Sequence, residues 1–213
     1  MYARLISKYF VLLPPESALT IPLCRDIIYL VNYYAKGGRA VIILITGETH
    51  TGKTLLARRM LERYKIPYLS VDHLKMGLIR SGQTSLTPED DAELTPYLWP
   101  IVREMIKTAI ENRQDMTVEG CYVPFDWRRD IGSEYAEQIR FICLAFTDGY
   151  IDRHFEDIIS HARDIEYRLC DDGLTPERLK EGNRAFIEGF TQAGEVPVLI
   201  DGDYRETVAS LLV

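Results

Sequence analysis

Positive charge is in short supply in this chain: 25 lysines and arginines stand against 32 aspartates and glutamates, leaving a formal net charge of -7 over 213 residues. A basic stripe that would track a phosphate backbone is absent, so nucleic acid is not an expected partner. Cysteine is scarce as well. Cys24, Cys121, Cys143 and Cys170 form no CxxC pair, and no histidine stands at zinc spacing from them. That excludes a disulfide framework and a structural zinc site, and it fits a reducing cytoplasm. No stretch approaches the roughly 18 uninterrupted apolar residues of a membrane span, and the proline-broken N-terminus does not read as a signal peptide. Internal repeats, low-complexity tracts and linkers are missing too, so we expect one domain over residues 1–213, as a monomer or homodimer.

What is present is a series of short apolar runs alternating with helical patterns. "RAVIILIT" at 39–46 is β-branched and apolar without alternation, the mark of a strand covered on both faces in a parallel sheet. Similar runs recur at 67–71, 115–120, 139–146 and 196–202, and five strands separated by helices predict a doubly wound α/β fold. Residues 1–39 are expected to form an N-terminal helical extension, with a helix over 20–38 capped by Thr20 and ended by Gly37 and Gly38. "TPED" at 87–90 reads as a cap with proline in the first turn of a long helix, which Pro96 and Pro100 are expected to kink or split. A second "TPE" at 175–177 starts a helix expected to finish near Gly194.

The most informative stretch is Gly47-Glu48-Thr49-His50-Thr51-Gly52-Lys53-Thr54, followed by Leu55. It matches GxxxxGK[ST] without a mismatch, between an expected buried strand and an expected helix. Glycines let backbone amides converge on phosphate oxygens at a helix N-terminus whose dipole favours negative charge. Lys53 then reaches the β- and γ-phosphates, and the Thr54 hydroxyl ligates Mg2+. No guanine-reading NKxD follows a late strand; "NRQD" at 112–115 precedes one instead. ATP is therefore the expected nucleotide.

With an aspartate after the second strand, a helical insertion, a third strand ending in "VEG" and an arginine-bearing segment after the fourth, the chain resembles the small P-loop kinases. That group includes adenylate and shikimate kinases, chloramphenicol phosphotransferase, the zeta-toxin kinases and proteins labelled 2-phosphoglycerate kinase. The resemblance covers residues 40–213 in order of elements, with the P-loop as its specific motif. It implies a P-loop NTPase three-layer fold, a parallel sheet of strand order 2-3-1-4-5, a substrate region after the second strand and a lid over 147–173. It also implies ATP-dependent transfer of a phosphoryl group to a hydroxyl or phosphate of a small-molecule acceptor. A nucleoside monophosphate kinase and an ATP-dependent regulatory switch stand as alternatives.

Each candidate residue carries a functional and a plain reading. Asp72, directly after the second strand, is placed to accept an acceptor proton, and the resemblance implies a base there; the plain reading is a helix cap. Glu119, ending the third strand, steadies magnesium or forms an ordinary salt bridge. Arg153 and Arg163, with Arg168 next, are the lid cations expected to close over the transferring phosphate, against surface ion pairing with neighbouring acids. His154 and His161, seven apart, lack a third ligand, so no metal is assigned to them. Arg80, Tyr97, Trp99, Tyr122, Arg128 and Arg129 fall in segments that would rim the acceptor pocket; Arg80 and Tyr122 are the substrate-binding candidates, with solvation as the alternative for each.

Overall fold

The computed structural model describes residues 40–161 and 173–212. The helix expected at 20–38, together with Arg163 and Arg168, lies outside them. The described elements run β1 (Ile42–Gly47), α1 (Lys53–Tyr64), β2 (Tyr68–Ser70), α2 (Val71–Arg80), α3 (Asp91–Glu111), β3 (Met116–Glu119), α4 (Trp127–Ile131), α5 (Ser133–Ala136), β4 (Ile139–Phe146), α6 (Asp148–His161), α7 (Pro176–Gln192), β5 (Val198–Ile200) and α8 (Tyr204–Ser210). The five strands form one sheet of order β2-β3-β1-β4-β5, and every pairing is parallel.

All six residues of β1 are buried, as an apolar run without alternation requires. Successive side chains still point to opposite faces. Ile42 and Leu44 join a core with Leu94, Leu98, Val102 and Ile106 of α3, whereas Ile43 and Ile45 join one with Leu56 and Met60 of α1 and Ile151 of α6. The register sets Ile45 opposite Glu119 and Gly47 opposite Leu144, so β1, β3 and β4 end at a common edge. Helix α7 is pinned to that edge by the fully buried Asn183. Its Oδ1 accepts from the Phe146 amide and its Nδ2 donates to the Leu179 carbonyl, both at 2.8 Å.

Two expectations about α3 are corrected. The helix is not split: it runs 21 residues through Pro96 and Pro100. Both prolines are exposed, while Leu94, Leu98, Trp99 and Val102 are buried on the other side. The carbonyls that lose a partner thus face water, which satisfies them, and core packing holds the helix together. Nor does Thr87 cap it. The helix starts at Asp91, and Thr87 donates its amide (2.7 Å) and hydroxyl (3.0 Å) to the Asp90 carboxylate in the preceding turn. The second "TPE" performs as expected: Thr175 Oγ1 accepts from the Arg178 amide at 3.2 Å, with Pro176 opening α7. At the opposite end of the sheet, Asp115 of "NRQD" accepts a hydrogen bond from the Val41 amide at 2.8 Å, which makes that stretch a structural tie.

Candidate functional site: a phosphate loop and its cavity

Between β1 and α1 the chain turns through two glycines at positive φ. Gly47 stands at 143° and Gly52 at 82°. A Cβ on Gly47 would lie 2.1 Å from the Leu144 carbonyl oxygen, and one on Gly52 would lie 1.7 Å from the Tyr204 hydroxyl. Neither position admits a side chain. Gly52 is the N-cap of α1 and supplies no capping side chain, which leaves the first-turn amides of a 12-residue helix directed at the loop's concavity. Glu48 organises the loop from within. Its carbonyl oxygen accepts from the Thr51 hydroxyl and from Lys53 Nζ, each at 2.8 Å. Lys53, only 8% exposed, is thereby held over the loop.

Across the edge, Glu119 ends β3 at 1% exposure, and its Oε2 accepts from the Thr54 hydroxyl at 3.3 Å. Hydroxyl and carboxylate oxygens are the hard donors that suit magnesium, which characteristically takes one or two protein oxygens and completes its shell with phosphates and water. The fit therefore rests on the chemistry of Thr54 and Glu119 and on their adjacency. Among the described residues, no group of three or more His, Cys, Asp or Glu is placed to hold a metal by protein ligands alone.

These residues open into a cavity of about 720 Å³, walled by His50, Gly52, Lys53, Thr54 and Leu55 of the loop region, by Asp72 in the first turn of α2 and by Glu119 from the end of β3. Asp72 does not cap α2. Ser70 occupies that position and Asp72 is the second helical residue, where a carboxylate favours the helix dipole; it pairs with Lys75 at 3.0 Å.

Other candidates are held elsewhere. Arg80 is exposed at the far end of α2, and the Tyr122 ring is buried with its hydroxyl tied to Asp91 and Lys75; neither lines the cavity. The same holds for Tyr97, which donates to the Gln83 carbonyl, and for Trp99, which donates to Asp130. Arg128 pairs with Glu195 and Arg129 with Asp126. Arg153 donates to the Asp201 carbonyl at 2.7 Å, off the cavity wall.

Part of the wall went unread in the sequence, and the two histidines noted there, His154 and His161, were not assigned to it. Arg59 of α1, Tyr150, His154, Asp157 and His161 of α6, and Gly202, Asp203, Tyr204 and Arg205 after β5 all line the cavity. The available signal was positional: segments that leave the carboxyl ends of parallel strands border the ligand crevice. His154 breaks the regular geometry of α6 with φ −127° and ψ 17°, packs at a tilt against Tyr150 with ring centroids 4.6 Å apart and faces Asp157. Burial pushes the Tyr204 hydroxyl up to about 12, with Arg59 opposing and Tyr150 adding to the shift, so it stays protonated over the loop. Burial likewise raises the Cys121 and Cys143 thiols, to about 11 and about 12. They are poor nucleophiles for that reason.

The contact between Gly52 and Tyr204 makes a prediction. In Gly52→Ala the new methyl meets the Tyr204 hydroxyl at a backbone angle unfavourable to alanine, and the protein should lose about 1–3 kcal/mol of stability. Thermal unfolding of Gly52→Ala beside Gly52→Ala/Tyr204→Phe weighs the two causes, since the second variant removes the hydroxyl at 1.7 Å, leaves the ring carbon at 2.9 Å and does nothing for the backbone angle. Wild-type stability of the single variant would show that loop and α8 do not meet as described.

The parallel sheet of order 2-3-1-4-5, flanked by helices and carrying a GxxxxGKT turn after its central strand, has the fold of the small P-loop kinases. Among solved structures, the chain is similar to the tunicamycin resistance protein of Deinococcus radiodurans, at a TM-score of 0.53 and 14% identity over 81% of this chain and 94% of that one. It is also similar to a gluconokinase from Sinorhizobium meliloti 1021 (TM-score 0.46, 17% identity, 82% and 91% covered) and to the shikimate kinase of Aquifex aeolicus vf5 (0.47, 14%, 80% and 93%). No family model matches the sequence, and no curated protein matches it. Among the described residues, no helix is long and apolar enough to cross a membrane.

Proposed function

We propose that this protein is an ATP-dependent kinase that transfers the γ-phosphate to a hydroxyl or phosphate of a small molecule in the cytoplasm. One observation carries the reading: the P-loop, Lys53, Thr54, Glu119 and Asp72 open into the same cavity from four different elements of the fold. A triphosphate seated on the amides between Gly47 and Leu55 exchanges the Glu48 carbonyl for phosphate oxygens as the partner of Lys53. Glu48 keeps its bond from Thr51, so the loop need not reorganise. Thr54 and Glu119 would hold magnesium, which supplies charge neutralisation on the phosphates. Asp72, 39% exposed at its side chain and facing the cavity, orients the acceptor hydroxyl and accepts its proton. A carboxylate on the wall beside the phosphate loop suits an acceptor; a switch without one has no use for it.

The decisive experiment measures ATP consumption with magnesium while sugars, nucleosides, glycerate derivatives and aminoglycoside-like alcohols are added in turn. A kinase consumes ATP faster with its acceptor. Tight ATP binding without acceleration by any phosphate acceptor, coupled to altered affinity for a protein partner, would instead mark a switch.

The lid reading is narrowed by the packing of α6. Tyr150 and Ile151 are buried, while Asp148 and Asp152 pair with Arg184 and Lys180 of α7, so the start of α6 is firmly held; beyond His154, Ile158 is the buried residue. Arg153 and Arg163 remain the proposed lid cations, with Arg153 having to leave Asp201 to act. Movement is expected beyond the His154 break. Hydrogen exchange should show Asp148–Arg153 protected with or without a non-hydrolysable ATP analogue, and His154–His161 gaining protection when the analogue binds. Unchanged protection at His154–His161 would return α6 to a static wall.

A further inference from the structure

Four side chains from three separate segments form a chain of polar contacts behind the cavity wall. Lys75 Nζ, on α2, lies 3.0 Å from Asp72 Oδ1. The same ammonium donates to the Tyr122 hydroxyl at 2.8 Å and sits 5.0 Å from the centroid of that ring. Tyr122 in turn donates its proton to Asp91 Oδ1, at 3.0 Å, where Asp91 opens α3. The order fixes the direction of every bond, because the lysine has only donors to give and Asp91 only acceptors. Burial, with Asp91 and Asp72 nearby, drives the Tyr122 hydroxyl far above its ordinary range, so it remains a donor to Asp91.

The exposure of the members differs in a telling way. The Lys75 side chain is 12% exposed, unusual for lysine, whereas its partner Asp72 reaches the cavity. Surface i,i+3 pairs are commonly worth little because both long side chains wander. Here the ammonium is fixed from behind by a buried tyrosine, so its freedom is already spent and Asp72 is the one group left facing the ligand. Asp72 also sits in the first turn of α2, adjacent to the strand end that anchors it.

We propose that Lys75 is a positioning residue that fixes the Asp72 carboxylate for the acceptor, with Tyr122 and Asp91 as its anchor. This rests on the reading of Asp72 as the acceptor-orienting group. It also gives Tyr122 a role different from direct substrate contact: the tyrosine acts through Lys75 from behind the wall. Misplacing a catalytic group by about 1 Å costs on the order of 100-fold in rate, so a carboxylate released from Lys75 is expected to lose about 10- to 100-fold.

The test uses the full chain, magnesium ATP, and water as the acceptor, with single-turnover hydrolysis as the rate and a non-hydrolysable ATP analogue as the binding probe. Lys75→Met should slow hydrolysis by about 10- to 100-fold while the analogue binds as tightly as to the parent. Tyr122→Phe, which removes one oxygen and keeps the ring, should produce a smaller loss of the same kind. Because Lys75 acts through Asp72, the double variant Asp72→Asn/Lys75→Met should be no slower than Asp72→Asn. A separate readout needs no turnover. Trace acetylation followed by mass spectrometry should modify Lys75 more slowly than the exposed Lys65, and Tyr122→Phe should speed Lys75 alone by roughly 5-fold or more. Wild-type hydrolysis by Lys75→Met beside an impaired Asp72→Asn would overturn the positioning role and leave Asp72 in place. Unchanged hydrolysis by Asp72→Asn would instead remove the reading beneath it. Weakened analogue binding by Lys75→Met would put the lysine on the nucleotide and overturn the proposal as well.

Discussion

Lys53→Ala is expected to bind magnesium ATP about 10- to 150-fold more weakly than the parent, the equivalent of one charge-assisted contact worth roughly 1.5–3 kcal/mol. Part of the ammonium's gain on binding is offset, because in the free protein it already donates to the Glu48 carbonyl. The lower end of the range corresponds to a full exchange of one partner for the other, and the upper end to a phosphate that adds charge to the new bond. Stability of the free protein should hardly move. Glu48 retains the Thr51 hydroxyl, and a single replaceable hydrogen bond contributes about 1 kcal/mol. Calorimetry paired with thermal unfolding therefore distinguishes a binding lysine from a structural one: parental affinity for the nucleotide together with unchanged turnover would remove the loop from the mechanism.

For Asp72→Asn the expected signature is the reverse. Turnover with a confirmed acceptor falls about 100- to 10,000-fold, the range of general-base assistance, while ATP affinity stays near that of the parent because Lys53, Thr54 and the loop amides are untouched. The structure sharpens the control. Since Ser70, not Asp72, is the cap of α2, asparagine forfeits only a first-turn dipole interaction and an ion pair with Lys75, each worth about 0.3–1 kcal/mol. A loss of rate much larger than those terms allow belongs to chemistry. A single-turnover rate within a factor of about three of the parent would leave Asp72 a surface carboxylate that happens to face the cavity.

How much of this was legible beforehand depends on whether the cause was local. β1 was readable because burial on both faces writes itself as an uninterrupted apolar run, and β4, buried but for residues near its start, spans the expected 139–146. The phosphate loop was readable because its glycines answer to backbone geometry within eight residues. Pro96 and Pro100 misled because their local effect is real, yet both fall where water takes over the orphaned carbonyls. Tyr122 was expected at a pocket rim and instead sits behind it, since Lys75 and Asp91, 47 and 31 residues away, decide where its hydroxyl goes. Tyr204 was unreadable for the same reason. Its place over Gly52 is a meeting of residues about 150 apart, and nothing in either neighbourhood announces it.

The strand order also governs how the chain must assemble. Central β1 is made first among the described strands, yet its partners are β3 and β4, and no strand pairs with the one that immediately precedes it until β3 meets β2 and β5 meets β4. On a ribosome adding about 5–20 residues per second, the run Ile42–Ile45 therefore waits several seconds for Met116–Glu119 to be synthesised. Non-local pairing of this kind lowers folding rates and leaves apolar strand edges open in the meantime. A pulse-labelled nascent chain ending before Met116 should accordingly be the form most dependent on a holdase, and one extended past Phe146, with both flanks of β1 available, the first to resist protease.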